Sequence, residues 1–167
     1  MFKILAINPG STSTKIAVYE DTNLVFKKNL KHDEKEISKY HKIIEQYDFR
    51  RENIENVLKE NGYDIKSFDA FVGRGGLVKP IPSGTYRVTE KMLDDLKNSP
   101  LGEHASNLGG MIAFEFEKET GTTSFIVDPV VVDEMDEIAK ITGFPEIKRH
   151  SIFHALNQKA VARRGAK

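Results

Sequence analysis

The sequence contains no cysteine. That excludes disulfides, thiolate metal sites and a cysteine nucleophile, and it suits a reducing compartment. It carries no surplus of charge, because 25 basic residues balance 25 acidic ones. Nothing global therefore draws it to nucleic acid or to an anionic membrane surface. No apolar run is long enough to span a bilayer, and Met1-Phe2-Lys3-Ile4-Leu5 lacks the extended apolar stretch of a signal peptide. These absences point to the cytoplasm. There is no internal repeat and no low-complexity tract. With 167 residues, the chain is long enough to bury a core as one domain over 1–167.

Two familiar phosphate loops are missing as well. No G-x-x-x-x-G-K-[ST] leads into a helix, and no G-x-G-x-x-G follows a strand. What the sequence has instead is Asn8-Pro9-Gly10-Ser11-Thr12-Ser13-Thr14-Lys15, between two strand-like runs. Pro9-Gly10 suits a tight turn. Four hydroxyls, backbone N–H groups and the Lys15 ammonium converge there, a composition that can hold a phosphate. An ordinary hydroxyl-rich hairpin has the same letters.

Residues 3–7, 14–19 and 24–30 read as strands of an antiparallel meander, with Glu20-Asp21-Thr22-Asn23 as the second turn. Between 31 and 42, helix and loop are not separable. Residues 49–60 read as a helix with Ile54, Val57 and Leu58 on one face, stopped by Asn61-Gly62. A strand over 68–73 runs into Arg74-Gly75-Gly76, and 77–88 reads as irregular with a brief strand at 86–88. Thr89 suits the N-cap of a helix over 90–97. A buried helix over 106–119 ends at Gly121, and a β-branched strand over 123–127 ends at Asp128. A short acidic helix over 133–140 follows. A last helix starts near Ser151, with Leu156, Ala160 and Val161 on one face. Meander strands followed by alternating helices and strands predict an α/β domain, a mixed sheet flanked by helices.

Ligands gather at strand ends in such sheets. Asn8, Arg74, Asp128 and His154 all fall at expected strand ends or just beyond. Taken singly, each has a plainer role: Asn8 and Asp128 in turns, Arg74 on the surface, His154 in the core or as a cap. Together with the hydroxyl turn they suit phosphoryl transfer, which needs in-line positioning and positive groups around the equatorial oxygens. A guanidinium grips a carboxylate with two prongs. An imidazole can donate to the transferring group, and an aspartate can orient the arginine or hold Mg²⁺ through water. His104, on a loop before a helix, reads more readily as an exposed loop residue.

Ile7-Asn8-Pro9-Gly10-Ser11-Thr12-Ser13-Thr14-Lys15 resembles the N-terminal signature of the acetate and butyrate kinases. Val72-Gly73-Arg74-Gly75-Gly76 is similar to their substrate-arginine segment, and Ile126-Val127-Asp128 to their aspartate strand. Arg149-His150-Ser151-Ile152-Phe153-His154-Ala155 is similar to their histidine signature. The resemblance implies a ribonuclease-H-like domain of the actin-like ATPase superfamily. It implies ATP/ADP and Mg²⁺ as cofactors, a small carboxylate as partner, and a homo-oligomeric full-length enzyme.

By the same resemblance, Asn8 organises Mg²⁺ and phosphate, and Ser11, Thr12, Ser13 and Lys15 line the phosphate turn. Arg74, Asp128 and His154 act in catalysis, while Gly75, Gly76, His104 and Phe153 border the substrate. The form Ser151-Ile152-Phe153-His154-Ala155-Leu156-Asn157 is closer to butyrate kinases, with acetate, propionate and branched-chain acids as alternative substrates. Gly75 and Gly76 stand where acetate kinases carry bulkier aliphatics, which predicts room for a longer acyl tail. Gly76→Val is then expected to shift preference toward acetate. Family members are much longer, so the resemblance implies an N-terminal domain, inactive by itself. A non-catalytic binding module is the alternative.

Overall fold

The computed structural model describes residues 1–151 and 155–166. Three strands open it: β1 (Lys3–Pro9), β2 (Ser13–Glu20) and β3 (Asn23–Lys31). Their alternation decides which way they face. Leu5, Ile7, Ile16 and Val18 are buried, while Ala6, Asn8, Lys15 and Ala17 look the other way. The polar stretch after β3 holds one short helix, α1 (Glu34–Ile37), started by the Asp33 carboxylate accepting from the Lys35 N–H.

Helix α2 (Tyr47–Glu60) returns the chain to strand β4 (Ala70–Arg74). The 77–88 segment includes the brief strand β5 (Thr85–Arg87). Helix α3 (Glu90–Asn98) begins at Thr89, whose hydroxyl accepts from the Met92 N–H. Helix α4 (Asn107–Thr120) ends at Gly121, whose φ of 77° suits glycine in the left-handed cap position. Strand β6 (Ser124–Val127) and helix α5 (Ala155–Gly165) complete the order.

The six strands lie in the order β3-β2-β1-β4-β6-β5. β1, β4 and β6 run parallel, while β2 and β5 are antiparallel to their neighbours β1 and β6. One face of the sheet packs on α2 and α4. Leu5, Ile7, Phe71 and Ile126 meet Ile54, Leu58, Leu108, Ile112 and Phe116 there in one core. Burying each such side chain contributes about 2 kcal/mol. Contact between α4 and β4 is as close as backbones allow. A Cβ on Gly73 would lie 2.3 Å from the Gly109 carbonyl group.

Two expected elements differ. Residues 133–140 hold only a 3₁₀ turn, Glu137–Lys140. The Asp133 carboxylate accepts from the Met135 N–H and pairs with Lys140. In helix α5, Val161, on the expected inner face, is exposed. No helix among the described residues is long and apolar enough to cross a membrane.

Candidate functional site

Strand register builds the site. β1 and β2 pair Asn8 with Lys15. β1 and β4 place Ile7 opposite Gly73, which sets Asn8 beside Arg74. β4 and β6 pair Arg74 with Val127. Lys15, Asn8, Arg74 and Val127 thus form a row across four strands, on the sheet face away from α2 and α4. They line one open cleft of about 320 Å³, floored by Ala6, Ala17 and Val72. Arg74 Nη1 donates to Asn8 Oδ1 at 3.5 Å.

The hydroxyl turn sits beside this row. The Gly10 N–H donates to the Ser13 carbonyl at 2.7 Å, closing a two-residue hairpin with Ser11 and Thr12 at its tip. Ser11, Thr12 and Lys15 are exposed and Ser13 is half-buried. Thr14 departs from the expected set of four converging hydroxyls. It is fully buried, and its hydroxyl lies 3.0 Å from Arg50 Nη1 and 2.8 Å from His32 Nε2. Strand alternation turns it inward between exposed Lys15 and half-buried Ser13.

Arg50 is the residue that sequence reading missed. Its side chain is fully buried. Nη1 donates to the carbonyls of Gly10 (2.8 Å) and Ser13 (3.3 Å), and Nη2 to that of Ser11 (3.1 Å). Nε and Nη2 both donate to Gln46 Oε1, at 3.0 and 2.8 Å. Burial lowers its pKa to about 10, so it remains a cation at pH 7. A signal was available: Gln46, Arg50, Ile54 and Leu58 recur every four residues, so Arg50 lies on the buried stripe of α2.

His104 is half-buried, not an exposed loop residue. Its Nδ1 lies 2.7 Å from Ser106 Oγ and 3.2 Å from the Ser106 backbone nitrogen. Burial first, and then the Arg74 charge, lower its pKa. Asp128, one residue beyond the row, is exposed and adopts φ 44°, the left-handed region that aspartate tolerates better than most residues. Its carboxylate accepts from the Gly84 N–H at 3.0 Å, while its own N–H donates to the Gly84 carbonyl. His154 and Phe153 lie outside the described residues.

The expectation of open space at Gly75 and Gly76 is corrected. A Cβ on Gly75 would sit 2.5 Å from Pro129, and one on Gly76 would sit 2.6 Å from the Asn107 backbone and 2.7 Å from Leu96. These glycines let α4 and the segment after β6 approach the arginine strand. They do not hold space for an acyl tail.

For Mg²⁺ the donor set is thin. Among the described residues, no three His, Asp or Glu side chains stand together as a metal cage. Asn8 offers one neutral oxygen, and it faces a guanidinium. Such a set fits an ion carried mainly by phosphate oxygens and water.

No protein-family model matches the chain. Among curated proteins, the chain is 58% identical over 166 residues to butyrate kinase 2 of Clostridium acetobutylicum, covering 99% of this chain and 47% of that protein. Butyrate kinase 1 of the same organism is 58% identical over 167 residues, with 47% of its length covered. Over its whole length this chain is similar to butyrate kinases. It spans about half the length of the curated relatives it matches.

Among solved structures, acetate kinase of Porphyromonas gingivalis aligns over 99% of this chain and 48% of its own, with a TM-score of 0.63 and 20% identity. A propionate kinase of Francisella tularensis aligns over 99% of this chain and 48% of its own, with a TM-score of 0.56 and 16% identity. At those identities the likeness concerns fold. What this chain shares with those enzymes is its fold, a six-stranded mixed sheet flanked by helices.

Proposed function

We propose that residues 1–167 form the N-terminal domain of a two-domain carboxylate kinase, which converts butanoate and ATP reversibly to butanoyl phosphate and ADP in the cytoplasm. The observation that carries this reading is the single cleft shared by Lys15, Asn8 and Arg74, in a chain 58% identical to butyrate kinases.

Arg74 holds the carboxylate with two parallel N–H bonds, leaving one oxygen aimed outward. Lys15 and the Ser11–Ser13 turn hold the ATP phosphates. That carboxylate oxygen attacks the γ-phosphorus in line. The bond to the β–γ bridging oxygen breaks, and ADP leaves with the electron pair. A carboxylate is already ionised at pH 7, so no general base is needed for attack. Asp128, pinned through Gly84, then serves to orient groups rather than to take a proton. His104, whose pKa is lowered by burial and then by Arg74, and His154 serve as hydrogen-bond partners near the transferring group. Mg²⁺, when bound, would neutralise phosphate charge, and Asn8 would contact its shell.

The test is capture of acyl phosphate as hydroxamate from ATP and butanoate. The chain alone is expected to give none. A chimera joining it to the remaining half of the Clostridium acetobutylicum relative is expected to give turnover. In that chimera, Arg74→Lys should raise KM for butanoate well above that for ATP, because an ammonium cannot make the two-pronged grip. Turnover by the chain alone, or a folded but inactive chimera, overturns the proposal.

A further inference from the structure

We propose that Arg50 is a positioning residue of the phosphate turn, and that Gln46 is neutral so that the buried Arg50 charge is left for the bound phosphates. The inference rests on the reading that phosphates occupy the Gly10–Lys15 turn.

The geometry is one-sided. Arg50 draws the carbonyls of Gly10, Ser11 and Ser13 toward the interior. With three carbonyls held inward, the turn presents exposed Ser11 and Thr12 at its tip, where peptide dipoles favour an anion. The guanidinium also bonds Thr14 Oγ1, so it fixes the turn's shape at four acceptors.

The charge balance is unusual. Every acceptor around Arg50 is neutral: three carbonyls, one hydroxyl and one amide oxygen. No carboxylate pairs with it among the described residues. His32, its neighbour across Thr14, has a pKa lowered to about 4 by burial and then by Arg50, and it is neutral at pH 7. Arg50 also lies in the first turn of α2, where the helix dipole disfavours a cation. A buried arginine is ordinarily paired with an acid. Gln46 already grips it through the same atoms a glutamate would use, on Nε and Nη2. Scaffolding alone would be served better by glutamate at 46. A polyphosphate at the turn supplies the missing negative charge.

Gln46→Glu separates the two roles, because it keeps the hydrogen bonds and cancels the charge. The probe is inorganic tripolyphosphate, titrated calorimetrically into this chain, with thermal unfolding measured alongside. The unchanged chain is expected to bind and to gain Tm. Gln46→Glu is expected to unfold at an equal or higher temperature without the probe, yet to bind it roughly tenfold more weakly. Arg50→Lys, which keeps the charge but cannot span the carbonyls, should also weaken binding.

Unchanged affinity in Gln46→Glu overturns the proposal, since a purely structural arginine predicts that result. The parent reading is tested separately by Lys15→Ala. If the unchanged chain fails to bind, or Lys15→Ala binds equally well, the phosphates do not use this turn. If Lys15→Ala weakens binding and Gln46→Glu does not, only the role of Arg50 fails.

Discussion

His32 lies under the hydroxyl turn with its Nε2 2.8 Å from Thr14 Oγ1. Thr14 Oγ1 also accepts from Arg50 Nη1, so the hydroxyl joins the imidazole and the guanidinium. Burial and then the Arg50 charge lower the His32 pKa from 6.5 to about 4. The sign follows from proton binding. Between pH 6.5 and 4 the unfolded chain takes up a proton that the folded chain refuses, so stability falls on acidification across that window. The loss is about 3 kcal/mol by pH 4. Urea unfolding at pH 7 and pH 4.5 should show a smaller difference for His32→Gln than for the unchanged chain. An equal difference would remove His32 from the account. Gly76 also belongs at this scale. Its added Cβ meets the Asn107 backbone, so Gly76→Val should cost about 1–3 kcal/mol as overpacking. Lowered Tm is the expected reading, in place of a change in acid preference.

Helix α4 and strand β4 meet through Gly73 and Gly109. A Cβ on Gly109 would lie 2.8 Å from the Arg74 carbonyl oxygen and 3.3 Å from Pro9 Cδ. Gly109→Ala therefore pushes on the strand ends that carry Arg74 and Asn8. It should lower Tm by several degrees and also raise KM for butanoate in the active chimera. Lowered Tm with unchanged KM would mean that α4 does not set the arginine. The elements themselves were legible where their signals are local. Thr89 caps α3, Gly121 ends α4, and alternation in β1 and β2 sorts core from cleft. The 133–140 segment departs from the expected helix, with only Glu137–Lys140 forming a 3₁₀ turn. Gly75 and Gly76 were misread because a glycine's purpose depends on what stands opposite it, which no local pattern records.

At the scale of the molecule, the expected mixed sheet is present with six strands; Asn8, Lys15 and Arg74 line one cleft, whereas Asp128 is not among its lining residues and His154 lies outside the described residues. The motif letters sit on strand ends, and register does the rest. Arg50 was hidden for a different reason. An arginine in a helix reads as surface, and only the fold reveals that the turn closes over it. The same packing explains Thr14, whose hydroxyl looked like part of the tip and serves the interior.

β1 and β4 run side by side in the same direction, and Asn8 and Arg74 meet only while that alignment holds. A slip of one residue would carry Arg74 to the helix side and bring Gly73 to the cleft. Under the proposed function, substrate recognition would be coupled to the cohesion of two neighbouring strand tips. A bound carboxylate and phosphate would act as a clasp between them, and the empty domain would be first to fray at that rim.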